Sequence, residues 1–372
     1  MKITIVRRRC GLNLGGAEGY CANVAFRFKE RGHDVRIVAD ESSVNGVSFV
    51  RARVAGRGSI LKNLSFFMES QLALNRLAPS CVYGLSRIRG ADFLRISDPL
   101  HAAWLELGYR DNLILAILRR FSLRHSLLLW QERQAIRSCG YLITNSRLVK
   151  RQLKHYYNVR PEYVFVVYTG VDHDRFRPCS KRQIQRIRRA LEIGQQDVVI
   201  LFAGLDYRRK GLTCLLEAVS KLGKNVKIIV AGIDKTKELE LLGSKLGILE
   251  RIRWIGFRHD MERVYAAADI FCLPTSYDPF ANSVLEAMAC GTPVVTTRLN
   301  GAAEAVGPVD ESLLIDRPDP GKLANALRYF LDLAPGEKEG LREAMVEHSR
   351  NFSWDSHVEQ LEGLFQKHYK RP

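Results

Sequence analysis

Tyr277-Asp278-Pro279-Phe280-Ala281-Asn282-Ser283-Val284-Leu285-Glu286-Ala287-Met288-Ala289-Cys290-Gly291-Thr292-Pro293-Val294-Val295 reads as a loop, a short helix and the opening of a buried strand. Asn282 is the expected N-cap, Gly291 the expected helix stop, and Pro293 leads into the strand. Asp278 and Glu286 lie eight residues apart across the loop-to-helix junction. In an α/β unit that junction sits beside the carboxyl ends of the parallel strands, where open sheets bind ligands. Carboxylates there accept hydrogen bonds from sugar or ribose hydroxyls, while the helix N-terminus receives phosphate. The competing reading is a solvated loop acid followed by an ordinary helical Glu.

Outward from this stretch the chain alternates between strand and helix patterns. In the second half, strands are expected at Val198–Ala203, Val226–Ala231, Arg253–Ile255, Ile270–Leu273 and Val294–Thr297, with helical intervals between them. In the first half, residues 3–6, a Gly-rich turn, a helix through Phe28 and a strand at 35–39 ending at Asp40 form a βαβ unit. Weaker alternation continues through Cys81–Tyr83, Tyr141–Thr144 and Val164–Val167. Residues 168–178 read as a linker, and an amphipathic helix is expected from Trp354 to about Tyr369. These marks predict an α/β chain of two domains, 1–172 and 180–350.

The 372 residues are 46% hydrophobic and 26% charged, which suits two folded domains rather than a disordered chain. Arg7-Arg8-Arg9 follows the first apolar strand, the reverse order of a secretory leader. No uncharged run approaches the roughly 18 residues of a membrane span. Eight cysteines without a C-x-x-C pair argue for reduced thiols and against structural zinc, hence for a cytoplasmic protein. The formal charge of +17 is uneven: residues 1–172 hold 27 Lys/Arg against 13 Asp/Glu, leaving +3 for the rest. The basic first half therefore faces something anionic, such as an acidic glycolipid, an anionic membrane surface or nucleic acid. No nucleic-acid motif or aromatic-basic pattern accompanies the charge, so nucleic acid is not an expected partner.

The 277–295 stretch resembles the E-x7-E region of the retaining glycosyltransferases of family 4. Two departures stand out: Asp278 replaces the usual Glu, and Ala281 replaces the usual Gly. The resemblance covers nearly the whole chain. It implies the GT-B fold, two facing Rossmann-like domains with a central cleft, with helix 353–372 crossing back onto the first domain. It also implies a hexosyltransferase that uses a nucleotide-diphospho-sugar, with a UDP-sugar the expected donor. Asp278 would touch the donor sugar, Glu286 the ribose, and Phe280 and Asn282 would belong to the same donor pocket. Arg31-Gly32-His33, Arg209-Lys210-Gly211 and Ala266–Asp269 resemble the branch that acts on lipopolysaccharide core. An anionic glycolipid acceptor, for cell-envelope lipopolysaccharide biosynthesis, follows from that resemblance; another cell-surface polysaccharide or glycolipid is the alternative.

Transfer from a sugar diphosphate needs stabilisation of growing negative charge, by a metal or by fixed cations and helix N-termini. Gly204-Leu205-Asp206-Tyr207-Arg208-Arg209-Lys210-Gly211 follows a strand and resembles the family's R-K-G segment. Arg209 and Lys210 are the expected clamp and Arg208 a helper; with no acidic D-x-D pair near either site, no metal or other cofactor is expected. Gly15 and Gly16 form a second turn where backbone amides can approach phosphate, or a plain tight turn. For proton transfer the nominees are Asp98 and then His101, although the family's front-face mechanism can use the donor phosphate itself. Glu304 is expected to face the base or sugar, or to cap a helix.

The segment 113–137 combines Ile114, Ile117, Leu118, Phe121 and Leu128 on one arc with flanking arginines. It suits peripheral contact with the cytoplasmic face of an anionic inner membrane, or an ordinary domain helix. A nicotinamide-dependent oxidoreductase is the rival enzyme class, from Asp40 at the end of the second strand; the missing G-x-G-x-x-G speaks against it.

Overall fold

Val198–Ala203 and Val226–Ala231 are near-continuous apolar runs, as expected for strands covered on both faces of a parallel sheet. They pair in parallel in the computed structural model, which describes residues 1–11, 16–56, 58–107, 122–194, 196–232 and 236–369. The chain divides into two units: Met1–Tyr168 with Asp355–Pro372, and Thr169–Trp354.

Among the described residues, the first unit holds a seven-stranded parallel sheet in the spatial order Ser48–Arg51, Asp34–Ala39, Lys2–Val6, Cys81–Gly84, Phe93–Ile96, Tyr141–Thr144, Val164–Val166. The order reverses beside Lys2–Val6, which pairs with Asp34–Ala39 on one side and Cys81–Gly84 on the other. Such a reversal opens a crevice at the carboxyl ends of the two flanking strands. The helix Trp354–His368 closes the unit. Its Phe365 is fully buried, with ring centroids 5.8, 5.3 and 4.6 Å from Phe28, Tyr83 and Phe93. Burying one such ring contributes about 1.5–3 kcal/mol. Glu362 adds contacts to Arg31 at 3.0 Å and His33 at 2.7 Å.

The second unit holds a six-stranded parallel sheet among the described residues, in the order Ile252–Gly256, Val226–Ala231, Val198–Ala203, Ile270–Leu273, Val294–Thr297, Leu314–Ile315. Here the reversal lies between Val198–Ala203 and Ile270–Leu273. The turns leaving those two strands carry Arg209-Lys210 and Asp278.

Residues 168–178, expected as a linker, belong to the second unit from Thr169 onward. Val171 donates its amide to Phe352 O at 2.8 Å, and Asp172 Oδ1 accepts from the amides of Asp174 and Arg175. Arg175 pairs with Glu262 at 3.0 Å, and Phe176 packs against Tyr265. Local hydrogen bonds and one buried ring fasten this strap to its unit.

Candidate active site

Gly211 explains how the cations of the second unit reach their acid. The short helix Tyr207–Lys210 begins at Asp206, whose side chain accepts from the Arg209 amide at 3.2 Å. It must stop at once for Leu212–Val219 to begin, and Gly211 makes that corner at φ 84°. A Cβ on Gly211 would meet Pro274 O at 2.0 Å, so only glycine permits the approach. The corner lays Arg209 against the loop after Ile270–Leu273. There Arg209 O accepts from the Thr275 hydroxyl at 2.8 Å and the Ser276 amide at 2.8 Å.

From this position Arg209 Nη1 donates to Asp278 Oδ2 at 2.9 Å, and Lys210 Nζ donates to the same oxygen at 2.6 Å. Asp278 Oδ1 accepts from the Phe280 amide at 3.1 Å. The Asp278 side chain is 8% exposed. Burial alone would raise its pKa, but Lys210 and Arg209 outweigh burial and hold it below the ordinary carboxylate range. Two cations face this buried acid, and Arg209 Nε also pairs with the more exposed Asp206 at 3.3 Å, so the charges of the cluster balance and the remaining guanidinium and ammonium N–H donors are what can meet a diphosphate.

Asn300, which opens the turn that carries Glu304 and was given no role of its own from the sequence, secures the other side of Asp278. Its Oδ1 accepts from the Ala281 and Ala302 amides, each at 3.1 Å, and it is 1% exposed. Asp278 N donates to Leu299 O at 3.0 Å, and Gly301 N donates to Asp278 O at 2.9 Å. The signal was an Asn-Gly pair just past a buried strand, which marks a turn whose amide side chain can hold backbone. Asn300 also corrects the capping expectation. The helix Asn282–Ala289 has Ala281 at its N-cap position and no side-chain cap, because alanine carries no acceptor, while the Ala281 amide itself donates to Asn300 Oδ1.

The remaining expected donor residues are spread more widely. Glu286 makes no hydrogen bond or ion pair with Arg209 or Lys210 among the described residues; it accepts from the Tyr265 hydroxyl at 2.9 Å. Burial pushes its carboxyl pKa up, and the Tyr265 bond offsets this only in part. Arg208 turns away to Glu238 at 2.8 Å and is largely exposed, so it is not part of the Asp278 cluster. Phe280 is buried at 5% exposure and serves Asp278 through its amide. Glu304 occupies the first turn of Ala303–Val306.

In the first unit, Gly15 lies outside the described residues, and Gly16 opens the helix Gly16–Glu30. Among the described residues, a Cβ on Gly16 would meet nothing within 4 Å. Asp98 lines a cavity of about 190 Å³, with Arg7 Nη1 3.7 Å from its Oδ2. His101 is not among that cavity's lining residues. Its ring bonds His125 Nδ1 at 3.0 Å and stacks on Trp104, and burial first, then Arg87, His125 and Arg124, lower its pKa to about 4. His101 is thus buried against His125 and Trp104, away from the cavity that Asp98 lines. Glu132, missed in the sequence, anchors this loop: it accepts from the His101 amide at 2.9 and 3.0 Å and pairs with Arg87 at 3.1 Å. An acid four residues after buried Leu128, on an apolar helical stripe, was the available signal.

Residues 108–121 lie outside the described residues, and with them most of the apolar arc read at 113–137. Its described remainder is the helix Leu123–Ser138, with Leu128, Glu132, Ala135 and Ile136 buried, although Leu123 and Trp130 are exposed. Among the described residues no helix is long and apolar enough to cross a membrane.

Two family models match the chain in succession: Glycosyltransferase Family 4 over residues 14–175, and Glycosyl transferases group 1 over 183–352. The D-inositol 3-phosphate glycosyltransferase of Corynebacterium jeikeium is 35% identical over 254 residues, spanning 63% of this chain and 59% of that protein. A Mycobacterium protein of the same description is 34% identical over 230 residues, spanning 60% and 51%. The match thus covers less than two thirds of these relatives' length. Among solved structures, WaaG, a glycosyltransferase involved in lipopolysaccharide biosynthesis, superposes with a TM-score of 0.83 at 21% identity, over 97% of this chain and 99% of that one. Anabaena HepE, solved with UDP and glucose, gives 0.74 at 19%, over 99% and 100%. The fold is that of the GT-B glycosyltransferases. The chain belongs to the family 4, group 1 glycosyltransferases, which sets aside the nicotinamide oxidoreductase.

Proposed function

We propose that this glycosyltransferase moves a hexose, with retention of configuration, from a UDP-sugar to an anionic glycolipid of the lipopolysaccharide-core type. It would work as a peripheral protein at the cytoplasmic face of the inner membrane. The observation that carries the reading is the convergence of Arg209 and Lys210 on Asp278 at the strand-order reversal of the second sheet. The basic first half and the relatives named for transfer to an inositol phosphate support an anionic acceptor. The neighbour solved with UDP and glucose supports the donor class.

In this reading the anomeric carbon–oxygen bond breaks and its electron pair passes to the diphosphate. Lys210 and Arg209 receive that charge, already aimed by Asp278 and needing little reorganisation. The acceptor hydroxyl attacks from the same face, and its proton passes to the departing phosphate oxygen. Asp278 holds the cations and faces the donor sugar; Glu286 takes a ribose hydroxyl. The open amides at the start of the 282–289 helix add donors to the phosphates. Asp98 orients the acceptor, and no metal is needed.

The test is a panel of sugar nucleotides incubated with the purified chain, scored for slow donor hydrolysis and for transfer to a phosphorylated lipopolysaccharide core. Hydrolysis of a UDP-hexose with transfer to the core, retaining the anomeric configuration, is expected. Transfer only to another polysaccharide or glycolipid moves the acceptor, and no cleavage of any sugar nucleotide rejects the reading.

A further inference from the structure

The cavity of the first unit is built by the segments that leave three neighbouring strands. Arg7 and Arg8 follow Lys2–Val6, Ser86 and Arg87 follow Cys81–Gly84, and Asp98 follows Phe93–Ile96. It therefore sits at the strand-order reversal of its own sheet, where open α/β sheets take ligands. Its volume of about 190 Å³ falls below the ~300–1,000 Å³ that encloses a whole drug-sized molecule. A headgroup fits it better than a nucleotide.

The charges of the cavity differ in how they are committed. Arg87 is paired with Glu132 at 3.1 Å. Arg7 is 8% exposed, donates to Leu85 O at 2.7 Å, and lies 3.8 and 3.7 Å from Glu18 and Asp98, beyond hydrogen-bond reach of both. Arg8 is half-buried, and its guanidinium donates to a neutral partner, Asn63 Oδ1, at 2.8 Å. Among the described residues no carboxylate pairs with Arg8. A half-buried guanidinium held by an amide keeps its planar fork of donors for an oxyanion, and a phosphoryl group matches that fork in two places.

We propose that this cavity seats a phosphoryl group carried by the acceptor, gripped by Arg8 and backed by Arg7, while Asp98 takes a neighbouring acceptor hydroxyl. The word acceptor rests on the transfer reaction proposed above; the anion site itself does not. The arrangement selects acceptors that carry a phosphate beside free hydroxyls and disfavours neutral sugars.

The experiment is a calorimetric titration of the full chain, in phosphate-free buffer, with glucose 6-phosphate, inorganic phosphate and glucose. Glucose 6-phosphate should bind more tightly than inorganic phosphate, and glucose should not bind. Arg8→Gln should weaken glucose 6-phosphate at least tenfold, and Lys210→Ala, in the other unit, should not. Should Arg8→Gln fail to fold, Arg8→Lys keeps the charge but loses the fork, and a loss of threefold or more is expected. Unchanged affinity in the folded Arg8 variant, loss through Lys210→Ala instead, or equal binding of the two phosphates overturns the proposal. Donor hydrolysis by the unaltered protein is scored separately. Binding through Arg8 without cleavage of any sugar nucleotide rejects the transfer reaction and leaves the anion site standing.

Discussion

Lys210→Met removes one of the two cations on Asp278 while keeping most of the alkyl stem. Unit charges at the observed 2.6 Å attract by about 6 kcal/mol at an effective dielectric of ~20, and desolvation of both groups opposes much of that. Arg209 stays at 2.9 Å on the same oxygen, so the carboxylate is not orphaned. The stability loss should therefore be about 1–2 kcal/mol, not the ~3–5 of stripping a buried charge of its sole partner. Turnover should suffer more. A preorganised donor facing developing oxyanion charge is worth roughly 10²–10³ in rate, about 2.7–4 kcal/mol. UDP release in a coupled assay and urea unfolding, run on the same preparation, separate the two effects. A folded variant with turnover within about twofold of the parent would refute the role of Lys210 as charge acceptor.

Gly211→Ala should destabilise the second unit by at least about 2 kcal/mol, since φ 84° and a Cβ 2.0 Å from Pro274 O force the corner open; an unchanged urea midpoint contradicts this. Glu286 has a raised folded-state pKa, so the native state binds its proton more tightly and stability falls as pH rises from about 4.5 through that raised value. Glu286→Gln should thus leave stability unchanged in acid but increase it at neutral pH, while weakening donor binding; a lower neutral-pH midpoint speaks against the burial argument. A chelator should leave initial transfer rates unchanged, and a rate restored only by added Mg²⁺ or Mn²⁺ counts against catalysis by fixed cations.

Much of the fold is legible in local pattern. VVILFA and VKIIVA read as strands covered on both faces, being short, rich in β-branched residues and set between helical patterns, and the stretch from Trp354 has the spacing of a one-sided helix. The acids at 278 and 286 and the cations at 209 and 210 stand out because strand-to-helix junctions are where such side chains reach ligands. Short edge strands such as Ser48–Arg51 and Leu314–Ile315 carry too few residues for a period to show. Pairing across distance is invisible for another reason: it depends on which junctions the sheet order brings together. Arg209 and Lys210 meet Asp278 because the strands before them are neighbours, although 68 or more residues separate them in the chain. The same folding sends Arg208, one residue earlier, to Glu238, buries His101 against His125, and turns Glu286 towards Tyr265. Composition and spacing determine which chemistry the chain carries. Only the tertiary structure decides which of those groups share a site, because helix phase and strand order set where each side chain points.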